Sequence, residues 1–286
     1  MSTLREIHFT NANSRPTYFT VHRVAEAHRI STGEDVAVGV LDHSFATTKY
    51  EALFTAGRDF VGNPTSLLED DGHGYWMARV LREVAPTCDI FALNVANEDP
   101  IRFSGAIVEA IDWAVENGVH VLTCSHGKYV YDAWRDEIDA AVSRAVTRGV
   151  ATCFLHYDHP YNILTTGAFP YNGHEYNRAP DLNIWQYDYN TLRIQQYEEY
   201  LDATEPPTSG NDIPFFSMSS TAAVTGGFVS LLMALQPGLP ASRYRDILIE
   251  TSYSWSYNGA ATFEHGEVSR VVDIAAAVER LRSRPD

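Results

Sequence analysis

Paired cysteines are missing from this chain: it has only three in 286 residues, Cys88, Cys124 and Cys153, each within an apolar run that reads as an interior strand. That excludes a disulfide framework and points to a reducing, cytoplasmic setting. Basic residues are scarce too, 21 Lys and Arg against 37 Asp and Glu, for a formal net charge of −16. Such a surface repels phosphate backbones and anionic lipid headgroups, which removes nucleic acid and membranes from the expected partners. The first residues, Met1 to Arg15, lack the apolar run of a secretory signal or membrane anchor. Repeats, low-complexity tracts and linker-like stretches are absent as well, so a single domain over 1–286 is expected.

What the sequence does contain is a regular alternation of buried strands and amphipathic helices. Asp35 to Leu41 is a continuous apolar run closed by a carboxylate, Asp42, as a strand covered on both faces requires. A helix is predicted from His73 and Gly74 to Val84, ended by Ala85-Pro86-Thr87, and a strand over 89–95 follows. Helix 104–117, strand 119–124, helix 136–147 and strand 150–155 repeat the pattern, with Gly118 and Gly149 at the helix ends. Between about 157 and 216 a Tyr-rich segment shows no period. Helices are predicted again over 219–235, 241–250 and 271–282. Together these elements predict an α/β fold of three layers, a mostly parallel twisted sheet with helices on both faces, and a functional site at the carboxyl ends of the strands.

Three polar residues stand at those ends or at helix starts: Asp42, His73 between Gly72 and Gly74, and Ser219 at the head of an apolar helix. A hydroxyl becomes a useful nucleophile when an imidazole removes its proton, and a buried carboxylate fixes that imidazole's tautomer. Their surroundings resemble the subtilisin (subtilase) family of serine proteases. Val36-Ala-Val-Gly-Val-Leu-Asp42 is similar to the family's strand ending in its catalytic Asp. Asp71-Gly-His73-Gly is similar to its His motif, and Ile111 through Ser125-His-Gly127 to its helix, strand and substrate-binding Ser-x-Gly segment. The resemblance implies a subtilisin-like fold and a catalytic set of Asp42, His73 and Ser219. Ser219 is preferred as nucleophile because it sets Gly227 and Pro237 in register with the family's helix, and Ser217, in Ser217-Met218, is the alternative.

By the same resemblance Ser125, His126, Gly127 and His156 line the substrate site, and Asp158 stands where the family carries the Asn that stabilises the oxyanion. Leu155, His156 and Tyr157 replace small residues of the specificity pocket. They imply a small or polar residue before the scissile bond, with His126 or His156 as partners for an acidic one. No cofactor and no metal site are expected, since acidic clusters such as Glu69-Asp70-Asp71 read as solvated loops. The 41 residues ahead of Asp42 resemble family forms without a removable folding segment. Three functions remain open: a serine endopeptidase, general or dedicated to processing one peptide, a peptide transpeptidase or macrocyclase, and a peptide-binding pseudoprotease. A peptide or protein is the partner in each.

Overall fold

A computed structural model describes residues 4–6, 22–126, 131–155, 157, 159–163, 219–257 and 266–283. In chain order its elements are β1 (Leu4–Glu6), α1 (Val24–Ala27), β2 (Ala37–Asp42), β3 (Ala56–Asp59), α2 (Pro64–Leu68), α3 (His73–Val84), β4 (Asp89–Asn94), α4 (Pro100–Glu116), β5 (Val121–Cys124), α5 (Arg135–Thr147), β6 (Ala151–Phe154), α6 (Ser219–Leu235), α7 (Ala241–Glu250), β7 (Tyr253–Tyr257), β8 (Gly266–Val271) and α8 (Ile274–Ser283).

Five strands form one parallel sheet in the order β3-β4-β2-β5-β6. Successive side chains of a strand point to opposite faces, and β2 divides its residues accordingly. Val38 and Val40 join a core with α3, α6, α7 and α8, while Leu41 joins a second core with α4 and α5. Both faces are therefore covered, which makes the fold the three-layer α/β sandwich the sequence predicted. Helix α6 is apolar on every side because it is enclosed: Ser220 through Met233 are all buried. It packs on α3 and on β5 and β6. Among the described residues, no helix is long and apolar enough to cross a membrane.

The differences from the predicted elements have local causes. Helix α4 starts at Pro100 instead of 104, because the Asp99 side chain accepts a hydrogen bond from Ile101 N–H and Pro100 suits the first turn. Val271 closes a strand instead of opening a helix, and α8 begins after Asp273, whose carboxylate accepts from Ala276 N–H at 2.9 Å. Strand β7 pairs with β8 antiparallel and with β1 parallel in a second, three-stranded sheet. The apolar periodicity gave no sign of that sheet. Most of the Tyr-rich segment lies outside the described residues.

Candidate functional site

Asp42 is the last residue of β2 and is fully buried. In the parallel sheet it pairs with Asn94 at the end of β4, at the carboxyl edge where such sheets place their ligands. His73, the first residue of α3, brings Nδ1 to 2.8 Å from both Asp42 oxygens. Only an Nδ1–H can donate into that carboxylate, so the neutral ring keeps its lone pair on Nε2.

The approach of α3 to β2 depends on glycine. Gly74 N–H donates to His43 O at 2.7 Å, and a Cβ at Gly74 would lie 2.5 Å from that same oxygen and 2.7 Å from the Phe45 ring. The turn after Asp42 is also strained: Ser44 and Ala46 have φ of 57° and 47°, a region costly for residues with a Cβ. Hydrogen bonds to α2 hold it there. Ser44 N–H donates to Ser66 Oγ at 3.0 Å and Phe45 N–H to Ser66 O at 3.0 Å. Ser66 Oγ in turn donates to Asn94 Oδ1 at 3.2 Å, and Asn94 Nδ2 donates to Asp59 Oδ1 at 2.9 Å. Sequence reasoning missed Ser66 and Asn94, whose only sequence signal is Asn94's place at the end of a buried strand.

Charge follows from this packing. Burial pushes the Asp42 carboxyl up, but the charge and hydrogen bond of His73, joined by His126 and His43, outweigh it and hold the group at about 2. Burial works to lower the His73 imidazole, and the charge and hydrogen bond of Asp42 overcome it, raising the group above its usual 6.5. His126 shows the opposite balance. Its burial outweighs the attraction of Asp42, and His73 and His43 add repulsion, so it falls to about 4 and stays neutral near pH 7.

His126 stands beside the same carboxylate. Its ring is packed edge-on against Phe103 at 4.5 Å, and its Nε2 lies 4.0 Å from Asp42 Oδ1. Its side chain is only 11% exposed, and a neutral imidazole beside a carboxylate offers no positive charge to an acidic substrate side chain. Two other residues assigned to the specificity pocket are interior packing: Leu155 belongs to the core with α3 and α6, and Tyr157 is tilted against Tyr131 and Phe154 and stacked on His159. The Tyr157 hydroxyl donates to Asp139 on α5 at 2.5 Å. Asn162, also missed, ties this loop down, accepting from Phe154 N–H at 2.9 Å and donating to the Phe154 and Tyr157 carbonyls.

Ser219 opens α6 and is half-buried. Its carbonyl accepts from Ser125 Oγ at 2.9 Å, which anchors the first turn of α6 at the carboxyl end of β5, the strand beside β2. Asp42, His73 and His126 are thus gathered at one point, and Ser125 and Ser219 at the neighbouring strand end. Gly127, His156, Asp158 and Ser217 lie outside the described residues.

No protein-family model matches the chain. Among curated proteins it is 30% identical over 250 residues to subtilisin BL of Lederbergia lenta, an alignment that spans 82% of this chain and 89% of that protein. Subtilisin DY of Bacillus licheniformis is 24% identical over 244 residues, 77% of this chain and 84% of that one. Among solved structures, the serine protease MycP1, an essential component of the type VII (ESX-1) secretion system, superposes with a TM-score of 0.66 at 17% identity, over 94% of this chain and 89% of that one. A lanthipeptide protease gives 0.60 at 14% identity, over 92% and 94%. At such identities the superpositions speak for the fold, and the curated relatives carry the kinship.

Proposed function

This chain belongs to the subtilisin-like serine protease (subtilase) family, and from that premise we propose that it cleaves peptide bonds through an acyl-enzyme, with Ser219 as nucleophile, His73 as general base and Asp42 as the group that orients His73. The observation that carries the assignment is the contact of His73 Nδ1 with both Asp42 oxygens at 2.8 Å. It fixes the tautomer in which Nε2 accepts the nucleophile's proton and later returns it to the leaving amine. The imidazolium formed in between rests against a carboxylate already ionised by its surroundings. The anchoring of the first turn of α6 to Ser125 supports Ser219 in its role.

In this reading Asp158 stands beside the developing oxyanion. As a carboxylate it opposes that charge, and as a protonated acid it donates a hydrogen bond. Replacing it by Asn is expected to raise turnover, and an unchanged or lower rate removes it from that role. The substrate is a peptide or protein. Processing of one partner peptide is the narrower form of the proposal, and transfer of the acyl group to an amine instead of water is a variant that mass spectrometry of the products separates from hydrolysis. A reducing, cytoplasmic setting is supported by three buried free thiols.

The decisive experiment is labelling with a fluorophosphonate probe. Wild type is expected to react and Ser219→Ala to be silent. Labelling that survives in Ser219→Ala and disappears in Ser217→Ala transfers the nucleophile to Ser217. Absence of labelling in the wild type leaves a peptide-binding pseudoprotease.

A further inference from the structure

Asp42 is faced by three imidazoles. His43 Nε2 and His126 Nε2 each lie 4.0 Å from Asp42 Oδ1, and His73 Nδ1 lies 2.8 Å from Asp42 Oδ2. The three ring centroids are 5.8, 6.2 and 6.4 Å apart. In the protease reading the proton passes through one of these rings, His73, and the other two carry no proton in the reaction. We propose that Asp42, His43 and His73, with His126 as a fourth donor, form a reversible inhibitory site for a zinc-class divalent transition metal ion. The inhibitory consequence rests on the protease reading above, whereas metal binding does not.

One donor atom from each of Asp42, His43 and His73 already lies within 4.8 Å of the other two. Tetrahedral zinc, with bonds of about 2.0–2.2 Å, holds its donors roughly 3.3 Å apart, so side-chain adjustments alone can close the set. Nitrogen-rich donors completed by one carboxylate suit zinc, copper or cobalt, while calcium and magnesium demand oxygen. His126 Nε2 adds an independent reason, being a buried nitrogen with no hydrogen-bond partner among the described residues. Burying a polar atom unsatisfied is unfavourable, and a coordinate bond would satisfy it. The outer contacts are also in place. His43 Nδ1 is 3.0 Å from Ser44 Oγ, which occupies that nitrogen and leaves Nε2 for a metal. The His43 side chain is 42% exposed, so an ion has a way in past it.

Either mode of coordination by His73 stops proton transfer. Bound through Nδ1, the metal displaces the proton that His73 donates to Asp42. Bound through Nε2, it takes the lone pair that a general base must offer. In both cases zinc holds neutral imidazoles and an ionised carboxylate: when Nδ1 binds, the ring's one proton is carried by Nε2, and only a ring that was protonated beforehand releases a proton to solvent.

Zinc chloride titrated into the full chain during peptide hydrolysis tests the consequence, and the visible absorption of added Co²⁺ tests binding without reference to activity. Zinc is expected to inhibit the wild type reversibly, with recovery on chelation. His43→Ala is expected to keep the metal-free rate yet need at least about tenfold more zinc for half-inhibition. Co²⁺ should give tetrahedral absorption with the wild type and lose it with His43→Ala. Equal zinc sensitivity of the two proteins, or no cobalt absorption in the wild type, overturns the site. A chain that hydrolyses nothing in the absence of metal fails the protease reading alone, and cobalt absorption still decides the metal site.

Discussion

Helix α3 is held in two different ways at its two ends. At its start, Gly74 meets a backbone oxygen, His43 O, and His73 meets a buried carboxylate. Near its end, Val84 meets Gly227 of α6, where an added Cβ would lie 2.5 Å from Val84 Cγ1. The missing Cβ matters equally at the two places, since a Cβ at Gly74 would also come to 2.5 Å. What differs is the neighbour. At one end it is main chain in a strained turn beside the ionisable pair, and at the other it is an aliphatic side chain in the core. The first contact positions charge and the second supplies burial, so one helix carries geometry at one end and stability at the other.

Breaking the polar end is expected to have the largest effect. Gly74→Ala must displace the start of α3 or the His43 carbonyl, and a misplacement of about 1 Å near the reacting groups costs on the order of 10²-fold in rate. Its kcat should fall by at least that factor while chemical denaturation shows a cooperative fold. Full activity in Gly74→Ala would mean that the turn yields freely. Gly227→Ala should do the reverse, losing about 1–3 kcal/mol of stability through overpacking while the folded fraction keeps its kcat.

The charge balance at the polar end gives a pH profile. Burial works to lower His73 and Asp42 overcomes it, so the group sits above 6.5. A general base must be unprotonated, hence kcat/KM should rise with pH through a midpoint above 6.5. Asp42→Asn removes the raising interactions and leaves burial, so in that variant the residual activity should show a midpoint lower than in the wild type. An unmoved midpoint would show that another group sets the limb. Stability carries the opposite sign for Asp42. Its pKa is lowered from 3.8 to about 2, so its contribution is present above about 3.8 and lost as pH falls toward 2. Acid titration of unfolding should therefore be steeper in the wild type than in Asp42→Asn over that window.

The smallest effect is expected far from both ends of α3. Arg144 and Asp112 form a pair with Nη2 to Oδ2 at 2.8 Å, and their side chains are 53% and 44% exposed. Arg144→Ala should change stability by no more than about 0.5 kcal/mol, because solvent screens an exposed pair and its side-chain entropy opposes it. A larger loss on urea unfolding would place that link between α4 and α5 among the determinants of the fold.

The buried β-strands and the helices that alternate with them were legible because strands covered on both faces read as unbroken apolar runs and the intervening helices carry one apolar stripe. Asp42 and His73 stood out because each ends or begins such an element, and the surrounding motifs singled them out. The second sheet was not legible. Tyr253–Tyr257 and Gly266–Val271 mix polar and apolar residues, and their pairing includes a register shift between Tyr253 and Trp255, so neither shows a clean period.

By itself the sequence determined the three-layer architecture, the strand ends that carry polar side chains, and kinship with the subtilases, because all three depend on local patterning and contiguous motifs. Only the tertiary structure decided that His43 and His126 share Asp42 with His73, that Tyr157 turns into the core, and that Ser66 and Asn94 hold a strained turn beside the carboxylate. Apart from the neighbours Asp42 and His43, the residues gathered at the carboxylate are distant in the chain, and they meet because parallel strands bring their carboxyl ends to one edge whatever the length of the connections between them.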